Sequence, residues 1–346
     1  MSGFGQLGHP DPEGSHTLRL AEFLDLPPHP AAQRIYTLRN KPFYYLSGAD
    51  FLRARDPGRG YHMWFVGSPD MSFDRMRVDR PKLKKLVEEA AARSEACSVV
   101  IGKTHFEIND EFVQDLPENV ATLVSCNVNT RDPRVLYFPL GCDFRSRASA
   151  ERTKKLKDRD ILCYANFSVD THPSRVSLAQ DLTKREYITC EHMGGFMQYP
   201  ISRDEFFARL SRSKFAICPR GLGIETYRMW DCLYLGVIPV VKREAVFFDD
   251  LEDLPILFVD DWSQFLDLPV STINSMYEEF LERRFNFGKL DITYWIKRMH
   301  LRHIDRFADH AHRLDMASVK EVIFTDPLWK RALRKVASHA KGYLPR

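Results

Sequence analysis

The sequence predicts an α/β protein with two doubly wound parallel sheets, and three observations carry that reading. At 346 residues the chain is longer than one core usually serves. Short β-branched runs such as "CSVVIG" and "KFAICP" alternate with amphipathic stretches such as "PKLKKLVEEAAARSEA", the pattern of parallel strands joined by crossover helices. The alternation breaks once, at the charged stretch "SRASAERTKKLKDRD" (146–160), whose scarcity of apolar residues marks it as an interdomain linker or exposed edge.

In chain order, residues 1 to about 30 are rich in Gly, Pro and His and are expected to form a loose arm. "RIYTLRNKPFYYLSG" and "MWFVGSPD" read as strands. A helix opens at Pro81, with Leu83, Leu86, Val87 and Ala90 on one face, and "CSVVIG" follows as a buried strand. "VATLVSCNV" and "VLYFPLG" supply two more strands. After the charged stretch, "ILCYANFS" opens the second set. It continues with helix "SRVSLAQDLTKR", strand "EYITCE", helix "SRDEFFARLSRS" capped by Ser202 or Asp204, and strand "KFAICP". A helix over "IETYRMWDCLYL", ended by Gly236, leads to strands "GVIPVV" and "LPILFVDDW". Beyond Trp262 the pattern is helical, and Asp260 and Asp261 suit a cap for the first of these helices. The expected domains are 1–155 including the arm, 156–300, and C-terminal helices over 301–346 that pack back towards the first domain.

Composition narrows the function. With 44% hydrophobic residues and a formal charge of +3, the chain has the balance of a soluble globular protein rather than a nucleic-acid binder. Its seven cysteines stand singly with no C-x-x-C pair, as expected for reduced thiols in the cytoplasm. No basic flank with an apolar run opens the sequence, and no window approaches the roughly 18 apolar residues of a membrane span. Arg331, Arg334, Lys335 and Lys341 leave open a peripheral membrane contact, beside the commoner reading of a solvated basic face.

The most explicit chemistry lies in "FAICPRGLGIETYRMWDCLYLGVIPVV" (215–241). A strand, a Gly-containing loop and a helix in succession place free N–H groups and partial positive charge where ligands bind in open α/β sheets, so an anion is the expected occupant. Gly221 and Gly223 would let it approach the backbone. Helical spacing puts Glu225, Arg228 and Asp231 on one stripe, read either as ligand contacts or as a surface ion-pair ladder. In "NFSVDTHPSR", Asn166, Ser168, Thr171 and Arg175 could donate to phosphates, or Thr171 to Arg175 could simply start a helix. No G-x-x-x-x-G-K-[ST], G-x-G-x-x-G after a strand, or H-E-x-x-H occurs, which disfavours P-loop enzymes, dinucleotide dehydrogenases and zinc proteases. His300, His303, His310 and His312 lack a carboxylate partner at a metal-binding spacing, and "DRD" lies in the linker, so no metal and no cofactor are expected.

"SKFAICPRGLGIETYRMWDCLYLGVIPVV" resembles the C-terminal motif of exostosin-like glycosyltransferases, and "ILCYANFSVDTHPSR" before it and "LPILFVDDW" after it resemble the flanking segments; the likeness spans about 161–265. The resemblance implies a GT-B fold, two Rossmann-like domains facing across a cleft, with domain 1–155 on the acceptor side. It implies that Arg220, Gly221 and Gly223 line a phosphate loop, that Thr226 and Arg228 contact a diphosphate and that Asp231 holds the ribose of a nucleotide sugar. Asp231 stands where Glu is commoner, and Thr226 where Ser often is. The implied reaction is metal-independent, inverting transfer from a donor, UDP-linked by expectation, to a glycan or glycolipid hydroxyl. It calls for a general base, for which His62, Asp70, His105 and Glu107 are the candidates. The alternative is a non-catalytic nucleotide-sugar or glycan-binding protein of the same fold.

Overall fold

The computed structural model describes residues 17–26, 44–46, 61–66, 80–101, 104–141, 147–191, 194–195 and 200–291, with Tyr294, Trp295, Arg298 and Met299. Within them the chain forms the expected α/β architecture, two five-stranded sheets in which every ladder is parallel.

In the first sheet, β1 (Tyr44–Leu46), β2 (Tyr61–Val66), β3 (Ala96–Ile101), β4 (Val120–Ser125) and β5 (Val135–Tyr137) lie side by side in chain order. The period-two alternation of strands sorts their side chains. Cys97, Val99 and Ile101 pack with Leu83, Leu86, Val87 and Ala90 of helix α1 (Arg80–Ala92). Val100, Val124 and Leu136 instead join the core of the second unit.

The second sheet holds β6 (Ile161–Ala165), β7 (Ile188–Cys190), β8 (Ser213–Ile217), β9 (Ile238–Lys242) and β10 (Leu257–Val259), in the spatial order β7-β6-β8-β9-β10. Its winding reverses between β6 and β8. Helices α2 (Ser174–Leu182), α3 (Arg203–Ser211) and α4 (Tyr227–Leu235) supply the connections. Strands β8 and β9 are buried almost throughout, as their unbroken apolar runs require. Ser202 caps α3 by accepting from the Glu205 N–H at 3.1 Å. Helix α4 ends on Gly236 at φ 65°, where Val237 N–H returns to the Cys232 carbonyl at 2.9 Å. Asp261 accepts from the Ser263 N–H and hydroxyl at 3.0 and 2.6 Å at the start of the short helix Ser263–Leu266, the capping role expected of it.

Two expectations need correction. The charged stretch does join the units, but it is not merely solvated: Arg147–Arg152 is helical, and Arg159 is 8% exposed. The Arg159 guanidinium donates to the carbonyls of Leu156, Ser213 and Leu235 at 2.9, 2.5 and 2.8 Å, and burial lowers its pKa to about 10. Nor are residues 17–25 a loose arm of the first domain. Thr17–Arg19 pairs antiparallel with Arg284–Asn286, and the helix Leu20–Asp25 buries Leu20, Phe23 and Leu24 in the second unit's core. Phe23 stacks on Phe287 at 3.9 Å, and the Lys155 ammonium sits 3.9 Å from the Phe23 ring centre.

The expected helices over 301–346, with their basic residues and histidines, lie outside the described residues. Just before them, Trp295 is buried edge-on against Tyr137 of β5 at 5.5 Å. Among the described residues the cysteines are free thiols, Cys218 and Cys232 having sulfurs 3.8 Å apart, and no helix is long and apolar enough to cross a membrane. Phe23→Ala is expected to cost about 3 kcal/mol in chemical denaturation; a loss under about 0.5 kcal/mol, normal for an exposed position, would contradict the docking of this segment.

Candidate functional site

In an open parallel sheet, ligands bind beyond the carboxyl ends of the strands where the winding reverses. Here that point lies between β6 and β8, in register through Cys163 and Phe215. The two strands deliver Asn166 and the segment Cys218 to Gly223 to the same edge. The topology thus brings together the two stretches that the sequence had singled out.

Arg175, in the first turn of α2, joins them. It is 5% exposed and donates to the carbonyls of Ser168, Pro219 and Arg220 at 2.8, 2.7 and 2.6 Å and to the Thr171 hydroxyl at 2.7 Å. Arg175 thus opens a helix at the sheet edge, and these hydrogen bonds go to protein. Burial, with the charge of Arg228 nearby, lowers its pKa to about 9. A Cβ on Gly221 would lie 3.1 Å from the Arg175 guanidinium, so this glycine makes room for the staple as well as for any ligand.

Arg220 and Arg228 are less committed. Arg220 approaches Glu244 at 3.6 Å, and the Nε of each arginine is buried without a hydrogen-bond partner among the described residues. The field of Arg220 also adds to burial in lowering the pKa of His172. Thr226 occupies the N-cap position of α4 in extended geometry, yet its side chain makes no capping bond. Its hydroxyl, the first N–H groups of α4 and three arginines therefore gather at the switch point, the arrangement that attracts a multivalent anion. Asp231 lies one turn deeper in α4 and is 4% exposed. Asn166 is buried and donates to the Tyr164 hydroxyl at 3.0 Å, which donates to Glu191 at 2.8 Å.

Glu225 departs from expectation. Helix α4 begins at Tyr227 rather than Ile224, so Glu225 precedes it and no ion-pair ladder with Arg228 forms. It is 2% exposed, and its Oε1 accepts from the Tyr137 hydroxyl, Leu140 N–H and Trp230 Nε1 at 2.9, 2.8 and 2.5 Å. Its own N–H donates to Asn127 Oδ1 at 2.8 Å. Asn127 is 1% exposed at φ 54°, and its Nδ2 donates to the Thr104 carbonyl at 2.7 Å. A Cβ on Gly223 would meet that Nδ2 at 2.7 Å, so the first unit's asparagine also enforces a glycine here. Spacing did not reveal Asn127 or Tyr137; the turn-forming "CNVN" was the available signal for the first, since Asn tolerates positive φ.

Among the general-base candidates, His105 and Glu107 follow the carboxyl end of β3 and are half-buried. Glu107 accepts from Asn129 Nδ2 at 2.5 Å, and Asn129 in turn accepts from Val246 N–H of the second unit at 3.2 Å. His62 is in register with Cys97 near the amino end of β2, the end away from the switch-point edge in a parallel strand. Asp70 lies outside the described residues. An interdomain cavity of about 640 Å³ is lined by Asp110, Asn129, Thr130, Arg134 and Val246 but by none of the arginines above. Among the described residues, no three His, Cys, Asp or Glu side chains are grouped to hold a metal ion.

Residues 144–309 match the family model of the RXYLT1 C-terminal domain. The match covers the whole switch-point site and somewhat less than half of the chain. No curated protein matches the chain. Solved structures similar to it include an α,α-trehalose-phosphate synthase (UDP-forming) from Burkholderia vietnamiensis, 10% identical over 76% of this chain and 74% of that one at a TM-score of 0.44. An α1,3-fucosyltransferase is 12% identical over 86% of this chain and 100% of that one at a TM-score of 0.41. At these scores the architecture rests on the chain's own two parallel sheets.

Burial raises the pKa of Glu225 from 4.5 to about 7, against the opposing hydrogen bonds from Leu140, Trp230, Tyr137 and Asn127. With the folded value above the unfolded one, the stability it contributes is fully present below about pH 4.5 and is lost as the pH rises through about 7. Denaturation of the wild type and Glu225→Gln between about pH 5 and pH 8 should therefore show the wild type losing on the order of 3 kcal/mol relative to the variant. Parallel pH profiles would rule out this titration.

Proposed function

We propose that the protein is a glycosyltransferase that moves a sugar from a nucleotide-sugar donor, UDP-linked in the simplest case, to a hydroxyl of a glycan or glycolipid. The observation that carries this reading is the convergence of Arg175, Arg220, Arg228 and the N-terminus of α4 at the switch point of the second sheet. The match of residues 144–309 to the RXYLT1 C-terminal domain supports it independently.

Breaking a bond between an anomeric carbon and a diphosphate leaves negative charge on the departing phosphate oxygens. We assign the stabilisation of that charge to Arg220, Arg228 and the α4 N–H groups, a task such groups can perform without a divalent ion. Thr226 adds a hydroxyl donor, and Asp231 is the group we assign to the ribose. Arg175 contributes charge while holding the loop in shape. For an inverting reaction, the acceptor proton goes to His105 or Glu107, on the carboxyl side of the first sheet. We assign the acceptor to the neighbouring cavity at Asn129, next to Glu107.

Calorimetric titration with UDP-, GDP- and CMP-sugars, followed by assay of slow donor hydrolysis, tests the reading. Binding with hydrolysis is the expected result; binding without hydrolysis would favour a non-catalytic nucleotide-sugar binder, and no binding would overturn both. Loss of a charge-assisted contact in Arg228→Ala should weaken donor affinity roughly 10- to 100-fold. Full affinity in that variant would remove Arg228 from the diphosphate.

A further inference from the structure

We infer that Glu225 is a positioning residue for the transfer reaction, latching the phosphate loop of the second unit to the segment of the first unit that carries His105 and Glu107. The inference rests on the glycosyl-transfer reading but assigns a role that the donor contacts do not require.

The geometry points there in three steps. First, the three hydrogen bonds to the Glu225 side chain converge on one oxygen and come from both units, Tyr137 and Leu140 on one side and Trp230 on the other. A carboxylate held in this way has a fixed orientation, and its second oxygen is buried without a partner. Second, the Glu225 N–H is held by Asn127, whose amide donates to the Thr104 carbonyl, one residue before His105. A continuous chain of buried contacts thus runs from the candidate base segment to the residue before Thr226. Third, an all-apolar junction would pack these aromatic residues at lower desolvation cost; a buried carboxyl is costly, and its gain is orientation.

The titratable group facing Glu225 from β5 is Tyr137, whose phenol is pushed well above its ordinary value by burial and by the Glu225 charge, with Cys126 and Asp250 adding to it. From α4 it is faced by the Trp230 indole, and from the β4–β5 connection by the uncharged Asn127. Among the described residues, no lysine or arginine forms an ion pair with it. Its proton state therefore changes the charge on the latch without a compensating cation.

The test compares wild type, Glu225→Gln and Tyr137→Phe in full-length protein, with a UDP-sugar as probe. The Gln variant keeps the accepting oxygen and the size of the side chain but cannot titrate. Donor affinity should stay within about 3-fold of wild type, while kcat for donor hydrolysis falls at least about 10-fold and an ionisation near neutrality disappears from its pH profile. In nitrogen-15 spectra, the indole N–H of Trp230 should titrate in wild type and not in Glu225→Gln. Should Glu225→Gln fail to fold, Tyr137→Phe removes one donor at the rim of the latch and should lower kcat and shift the same ionisation. Hydrolysis with an unchanged kcat and pH profile in Glu225→Gln, or in Tyr137→Phe where only that variant folds, overturns the inference and leaves the transferase reading standing. Absence of donor binding in wild type overturns the transferase reading and the inference with it.

Discussion

Two buried side chains from opposite units press on the glycines of the loop Pro219 to Glu225, so that side chains there would collide with them. Arg175 fills the space that a side chain at 221 would need, and Asn127 fills the space at 223. Each then hydrogen-bonds the loop it excludes, Arg175 through the carbonyls of Pro219 and Arg220 and Asn127 through the N–H of Glu225. Steric exclusion and hydrogen bonding act on the same few atoms, so the direction in which α4 starts is settled before any ligand arrives. Preorganisation of this kind matters for an anion site, because N–H groups already aimed at the charge need no reorganisation when it develops.

The electrostatics of that loop are asymmetric. Burial weakens the protonation of Arg175 and favours the neutral form of Glu225, so the desolvated site strains both charges. The charge of Arg228 acts on Arg175 and adds to burial in lowering its pKa, while Arg220 lies 3.6 Å from Glu244. A bound diphosphate would relieve that repulsion and satisfy the buried Nε groups of Arg220 and Arg228 together. In the interdomain cavity the arginines are held by carboxylates instead, Arg131 by Asp249 at 2.8 Å. There Arg134 is bound to Asp132, and Thr130 donates to Asp110.

The second sheet is legible almost strand by strand, because its central runs β8 and β9 are buried almost throughout and the elements are punctuated by Ser202, Gly236 and Pro residues. The docking of Thr17 to Asp25 was not legible. Its pattern is too short to show a period, and the strand it pairs with lies more than 260 residues away. The start of α4 differs from its periodicity for a related reason: "IETYRMW" has helical spacing throughout, but tertiary bonds from Tyr137, Leu140 and Asn127 hold Glu225 out of the helix. Local grammar points to Gly221 and Gly223, and the family resemblance to Arg220. The reasons for the two glycines are not legible there, since Asn127 is remote in sequence and Arg175 acts across a different strand.

These long-range contacts also decide how the two units relate. Separate domains with a small polar interface move independently by default. Here Val100, Val124, Leu136 and Tyr137 of the first sheet belong to the same apolar core as β6, β8 and α4, and the N-terminal helix closes that core from the other end of the chain. A shared core of this size makes wide opening between the units costly. Adjustment at the site must then come from the few polar contacts that cross it, of which Asn127 to Glu225 and Asn129 to Val246 each tie a loop rather than a strand. The two loops are held unequally: Glu225 is fixed by Tyr137, Leu140 and Asn127 together, whereas Val246 meets Asn129 through one N–H, so small shifts that leave the core packed fall more easily at Val246.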